Sequence, residues 1–236
     1  MSKTQGLDRS HHSSTAPKLV FAALHLFTVA VAGWMALTFD FTARVRALVL
    51  LGAAALYFVR HLVTLFVLLK RKVAWGESMG LAAFIAAFEL GFVYLGGRSG
   101  SALGVWDALP VALVLVGSVL NTGSELQRMV WKKNPAHRGH LYTEGMFGWS
   151  QHINYFGDTV LFTGWALLTA SPWALLVPLM MTLGFIFHHI PSLDAYLAER
   201  YGEAFEAYAA RTPSLVPLAS WGPRPWPGTR PRGRES

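Results

Sequence analysis

Six apolar stretches, separated by polar or glycine-rich segments, leave this chain few folds to choose from. They cover residues 19–39, 45–69, 79–95, 105–120, 156–169 and 173–190. A helix needs about 17–25 apolar residues to cross the hydrocarbon layer of a bilayer. Inside that layer each backbone polar group must be bonded within the chain, so only helices or closed barrels can span it. Runs this long are helical. The fifth is short for a span and is expected to be tilted or lengthened by its polar entry. Only 14% of the chain is charged, against about 25% in soluble domains. The expected fold is all-α: a multi-pass transmembrane helical bundle of six spans with a C-terminal cytoplasmic amphipathic helix.

The net charge of +7 fits either nucleic acid or an anionic membrane surface. The basic residues lie between the apolar runs, which selects the lipid bilayer and excludes nucleic acid. With six spans, one side collects sixteen Lys and Arg residues, including Lys70, Arg71, Lys72, Arg128, Lys132, Lys133 and Arg138. The other side receives only Arg44, Arg46 and Arg98, while Arg60 falls within a span. Basic loops stay in the cytoplasm, so both termini are expected there, at the inner (plasma) membrane in a bacterium. The expected organisation is a disordered tail over 1–18, a four-helix membrane region over 19–120, a cofactor-binding region over 121–218 and a disordered Pro/Arg tail over 219–236.

Beyond the last span, Leu193, Leu197, Tyr201, Phe205 and Tyr208 recur at helical spacing and predict one amphipathic helix. Pro191 suits its start and Pro213 lies just past its end. Within the spans, Tyr57, Arg60, His61 and Thr64 share one helix face. Ionisable groups at that depth mark function or a compensating partner. Glu89 in the third span is the expected partner of Arg60. The same polar face is alternatively a seat for the head of a hydrophobic substrate. His25 and Asp107 are expected to be solvated near span ends. The absence of cysteine removes disulfides and thiolate metal sites. No H-E-x-x-H pattern is present, and no metal is expected.

Hydrophobic burial does not explain residues 141–158, LYTEGMFGWSQHINYFGD. Lys132, Lys133, Arg138 and His140 form a basic approach suited to phosphates or a carboxylate. His152, Asn154, Tyr155 and Asp158 supply donors and acceptors, and Gly157 allows close backbone approach. With Asp194 and Tyr196 returning from the C-terminal helix, these residues could enclose a large polar cofactor. The bland alternative is a reentrant loop with interfacial aromatic residues.

The run G-M-F-G-W-S-Q-H-I-N-Y-F-G-D resembles the C-terminal signature of membrane steroid 5-alpha-reductases and sterol C=C reductases. The closing Y-L-A-E-R-Y-G-E-A-F-E-A-Y and P-S-L-V-P are similar to their last helix and its exit. A related architecture occurs in isoprenylcysteine carboxyl methyltransferases, whose motif usually lacks the Asn and the acid of N-Y-F-G-D. The resemblance covers about residues 120–218. It implies a cofactor site at Asn154, Tyr155 and Asp158, joined by Asp194 and Tyr196, with NADPH as the cofactor. Gln151 replaces the motif arginine, Ile153 the common proline, and His188 stands near a phosphate-binding arginine of the steroid reductases. These departures bear on NADPH against NADH.

What the resemblance implies is hydride transfer to an activated C=C bond of a steroid, sterol or isoprenoid-like substrate. Glu89, Tyr57 or His61 would supply a hydrogen-bond donor to the substrate carbonyl as negative charge develops. Two alternatives stay open: an S-adenosylmethionine-dependent methyltransferase using the same pocket, and a non-enzymatic membrane scaffold.

Overall fold

The computed structural model describes residues 14–217; residues 1–13 of the tail expected over 1–18, and the tail expected over 219–236, lie outside the described residues, while residues 15–18 are helical rather than disordered. Among those described, the chain is helical throughout and has no strand. The long helices are α1 (Thr15–Thr38), α2 (Arg44–Val63, extended by a π turn Thr64–Leu68) and α3 (Trp75–Gly97). Then come α4 (Ala108–Ser118), a π turn (Val119–Gly123) and α5 (Ser124–Trp131). After the motif loop follow α6 (Ile153–Leu168), α7 (Leu176–Gly184), a π turn (Phe185–His189), α8 (Ile190–Tyr201) and α9 (Glu203–Arg211).

Five helical segments are long and apolar enough to cross a membrane: Thr15–Thr38, Arg44–Leu68, Trp75–Gly97, Val105–Trp131 and Pro172–Tyr201. The remaining expected span, α6, has 16 residues, which at 1.5 Å per residue is about 24 Å. That is less than the ~30 Å hydrocarbon thickness. It lies inside the bundle, where Leu161, Phe162, Trp165 and Ala166 are buried. Protein surrounds it along much of its length, so it needs less apolar length than a lipid-facing helix.

Several expected boundaries move, each for a polar reason that hydropathy does not register. Helix α1 begins at Thr15 rather than near residue 19. There, Ser14 Oγ accepts from the Val73 N–H at 3.0 Å, and Lys18 Nζ donates to the Leu65 and Leu69 carbonyls at the end of the second span. The fourth segment continues through its π turn to Trp131, past the apolar stretch expected to end at residue 120. The expected separate C-terminal helix is divided. Its first part, α8, continues the last span, and Gly202, at φ +51°, turns the chain into α9.

The centre of the bundle is aromatic. The Tyr57 ring meets Phe88, Phe162 and Trp165 edge-to-face, with centroids 5.2–5.9 Å apart, a geometry that suits ring quadrupoles. Helices α4 and α6 touch backbone to backbone. A Cβ on Gly157 would sit 2.5 Å from Asn121 N and 2.8 Å from Gly117 O, and one on Gly164 would sit 2.6 Å from Pro110 O. Small residues of this kind let membrane helices approach closely. Gly157 therefore serves helix packing against α4, not the close approach of a ligand expected from the sequence.

At one end of the bundle, Arg46 is buried in α2 and holds the loops together. It makes two bonds to Asp107 (2.7 and 3.2 Å) and donates to the Ser101, Ala102 and Leu168 carbonyls. Asp107 is thus paired rather than merely solvated. The opposite end carries all three π turns and the whole motif loop. Such turns recur at functional sites.

Candidate functional site

The motif loop is fixed before its side chains are considered. The N–H groups of Gln151 and His152 donate to the Pro213 and Ser214 carbonyls at 2.9 and 3.0 Å. Ser150 Oγ donates to the Leu215 carbonyl at 2.7 Å, and Tyr208 Oη donates to the Phe147 carbonyl at 2.6 Å. Residues 212–215 therefore lie along the motif as a strap. Gln151, at the position of the family arginine, gives its amide to the Thr212 and Ala209 carbonyls. It is a strap residue.

From this fixed loop, α6 presents two polar faces. On the first, Asn154 and Asp158 are one helical turn apart. Asn154 Nδ2 donates to Glu125 Oε1 at 3.1 Å, and Asn121 Nδ2 donates to the Asn154 carbonyl at 3.0 Å. Asp158 accepts from Arg60 Nη2 at 3.0 Å, while Arg60 Nε donates to Thr122 Oγ1 at 2.9 Å. A hydrogen-bonded band thus runs from Arg60 on α2, through the π turn of residues 119–123, to Glu125 and Arg128 on α5. Arg60 Nη1 is buried and has no hydrogen-bond partner among the described residues. A buried donor without an acceptor is costly, and a carboxamide or carboxylate oxygen of a ligand would satisfy it.

On the second face, His152 Nε2 lies 2.9 Å from Asp194 Oδ1 on α8. The Tyr155 ring stacks between His152 and Phe185, with centroids 5.6 and 4.7 Å away. The motif is thereby connected to the last span. Tyr196 Oη accepts from Arg200 at 2.7 Å. Lys132 feels both Arg128 and Arg200; burial, then Arg128, holds its ammonium below the ordinary lysine value, with Glu125 opposing and Arg200 adding. Arg138 is exposed on the loop between α5 and the motif.

Deeper in the bundle lie the residues expected to meet a substrate. Tyr57 and His61 pack edge-to-face at 4.3 Å. Glu89 is fully buried, but it does not pair with Arg60. Its Oε1 is 2.9 Å from His25 Nε2, and both side chains are sealed from solvent. The expected Arg60–Glu89 pair is corrected: Arg60 points toward α6 and Glu89 toward α1. His25, expected at a solvated span end, instead lies within α1, 1% exposed. The two depths are connected through Arg60, whose guanidinium carbon lies 5.6 Å from the Tyr57 ring centroid.

Sequence reasoning brought His152, Asn154, Tyr155, Asp158 and Asp194 to one end of the bundle, where the structure has them, though on two faces. It passed over Asn121, Thr122 and Glu125. The polar run N-T-G-S-E closing an apolar span was the signal available for them.

Comparison with known proteins fits this geometry. The probable O-methyltransferase UstE of Ustilaginoidea virens is 33% identical over 86 residues, covering 36% of this chain and 30% of that protein. The Delta(14)-sterol reductase of Methylotuvimicrobium alcaliphilum is 31% identical over 136 residues, covering 49% of this chain and 31% of the reductase. The chain thus spans about a third of the length of these curated relatives. A family model described as "Protein of unknown function (DUF1295)" matches residues 78–212, which takes in α3, the motif loop and α9. The similarity to both a sterol reductase and an O-methyltransferase bears out the resemblance to the reductase and methyltransferase superfamily. With more than half of its length matched, the chain belongs to the DUF1295 family.

Proposed function

We propose that this protein is a membrane reductase that uses NADPH to saturate an activated C=C bond in a steroid, sterol or isoprenoid-like molecule. The observation that carries the reading is the Asn154–Asp158 face of α6, set between a basic end of the bundle and a buried Tyr57, His61 and Glu89 cluster. Similarity to a sterol reductase over 49% of the chain supports it. The family motif supports assigning Asn154, Tyr155 and Asp158, with His152, Asp194, Tyr196 and Arg138, to the cofactor. The spare donor on Arg60 fits a nicotinamide carboxamide. When bound, the cofactor supplies hydride.

The chain's own residues would do the rest. Asn154 and Asp158 fix the orientation of the bound group through directional bonds. The stacked rings of His152, Tyr155 and Phe185 wall one side of the site. Glu89, Tyr57 or His61 gives a hydrogen bond to the substrate carbonyl, where the low surrounding dielectric makes it most effective. The substrate enters sideways from lipid, while the cofactor comes from the end of the bundle that carries the motif loop, here assigned to the cytoplasm.

The second reading is an S-adenosylmethionine-dependent methyltransferase. Similarity to an O-methyltransferase favours it, as does the commitment of Gln151 to the strap, which leaves no motif arginine for a 2′-phosphate. The spare Arg60 donor fits a methionine carboxylate equally well. The test is to add NADPH to the reconstituted protein with a panel of conjugated enone lipids and follow the loss of reduced nicotinamide. Oxidation that depends on the lipid supports the reductase; methyl transfer from labelled adenosylmethionine to lipid would replace it.

A further inference from the structure

We infer that His25 is a positioning residue that holds the acid proton of Glu89 on Oε2, the oxygen not engaged by the imidazole, and so makes Glu89 the hydrogen-bond donor to a substrate carbonyl. The inference rests on the reductase reading for the identity of the acceptor, but the arrangement itself is independent of it.

The contact allows two neutral arrangements, Oε1–H donating to Nε2 or Nε2–H donating to Oε1 with the acid proton on Oε2, and the second is the one inferred. His25 Nε2 and Glu89 Oε1 are 2.9 Å apart, so one proton lies between them. Glu89 Oε2 and His25 Nδ1 are buried without hydrogen-bond partners among the described residues. No cation neutralises the pair, because Arg60 is turned to Asp158 and Thr122. The surroundings of His25 are the rings of Phe21, Tyr57, Phe58 and His61, with centroids 5.0–6.0 Å away. An ion pair here would keep a bare carboxylate oxygen buried without a hydrogen-bond partner, an expensive arrangement. A neutral pair avoids that cost. The imidazole Nε2–H donates to Oε1, and the carboxylic acid carries its own proton on Oε2. Oε2–H is then a donor lacking an acceptor, which a carbonyl oxygen would supply.

His25 therefore acts through Glu89. It contributes the N–H that occupies Oε1 and directs the proton to Oε2. A glutamine at position 25 keeps an N–H donor, whereas a leucine removes it.

The experiment is isotope-edited infrared difference spectroscopy on the full chain in lipid, comparing wild type with Glu89→Gln to isolate the Glu89 band. The expected result is a carboxylic-acid C=O stretch at neutral pH. It should shift in His25→Leu and return toward the wild-type position in His25→Gln. A carboxylate band for Glu89 in the wild type would overturn the inference, as would a carboxylic-acid band that is the same in all three position-25 proteins, or a nitrogen-15 spectrum that places the His25 ring proton on Nδ1 instead of Nε2. If His25→Leu does not fold, the wild-type band and its retention in His25→Gln decide the matter. None of these readings uses cofactor or turnover. A protein that shows the band but binds no nicotinamide would refute the reductase reading and leave the His25–Glu89 arrangement standing.

Discussion

Arg60 Nη2 lies 3.0 Å from Asp158 Oδ1, which connects the second helix to the motif helix at the depth where the polar band meets the aromatic core. Removing one member of a buried pair leaves an uncompensated charge and costs about 3–5 kcal/mol, whereas replacing both with apolar residues is much milder. Arg60→Met and Asp158→Leu should each lower the melting temperature sharply in detergent. The double variant should recover most of the loss. Arg60→Met and Glu89→Gln, which remove groups that do not touch, should add within about 0.5 kcal/mol. Strong coupling between Arg60 and Glu89 would contradict the pairing.

The contact between α4 and α6 predicts a second asymmetry. Gly157→Ala drives a methyl group into the Asn121 and Gly117 backbone, which cannot rotate away as a side chain would. Overpacking of this kind costs about 1–3 kcal/mol. Gly80→Ala in α3 has nothing within 4 Å of its new Cβ and should be neutral, or stabilising by up to about 1 kcal/mol through helix propensity. Thermal unfolding of both variants checks this, and equal tolerance would mean the two helices are not in backbone contact.

The strap predicts a pH dependence. Tyr208 Oη donates to the Phe147 carbonyl, and its pKa is raised, first by burial, with Arg211 opposing and Asp194 adding. A raised folded-state pKa means that the stabilisation is fully present below the ordinary tyrosine value of about 10. It is lost as pH rises beyond that value and through the folded one. Tyr208→Phe should be less stable at neutral pH by about 1 kcal/mol, and its stability should fall less steeply on the alkaline side. Parallel curves for the two proteins would argue that the phenol is not buried as a donor.

Ser14 shows what the sequence could not convey. As part of a polar N-terminal run it looks silent, yet it is buried and accepts from the Val73 N–H. Ser14→Ala should cost about 1 kcal/mol, seen as a lower melting temperature.

The fold was legible because hydropathy reports burial in lipid directly, and the runs in α1, α2 and α3 are nearly pure. The motif residues were legible because Asn154, Tyr155 and Asp158 interrupt an apolar context without serving as a turn. Pairing was not legible. Arg60 and Glu89 each have the right charge for the other, but helix rotation sends Arg60 to α6 and Glu89 to His25. The same holds for Gly157, whose neighbour is decided by the packing of α4 rather than by its own sequence context. The division of the C-terminal helix at Gly202 also escaped a periodicity that continues across the break.

The central claim is that the Asn154–Asp158 face holds a nicotinamide cofactor. Equilibrium binding of NADPH and of adenosylmethionine to purified wild type, Asn154→Ala and Asp158→Asn tests it most directly, with each variant checked for folding. Leaving a ligand group unpaired costs about 1–3 kcal/mol, roughly tenfold or more in affinity. Wild type should bind NADPH, both folded variants should bind it at least about tenfold more weakly, and adenosylmethionine should not compete. Binding of adenosylmethionine alone by the folded wild type, weakened by the same substitutions, would contradict it.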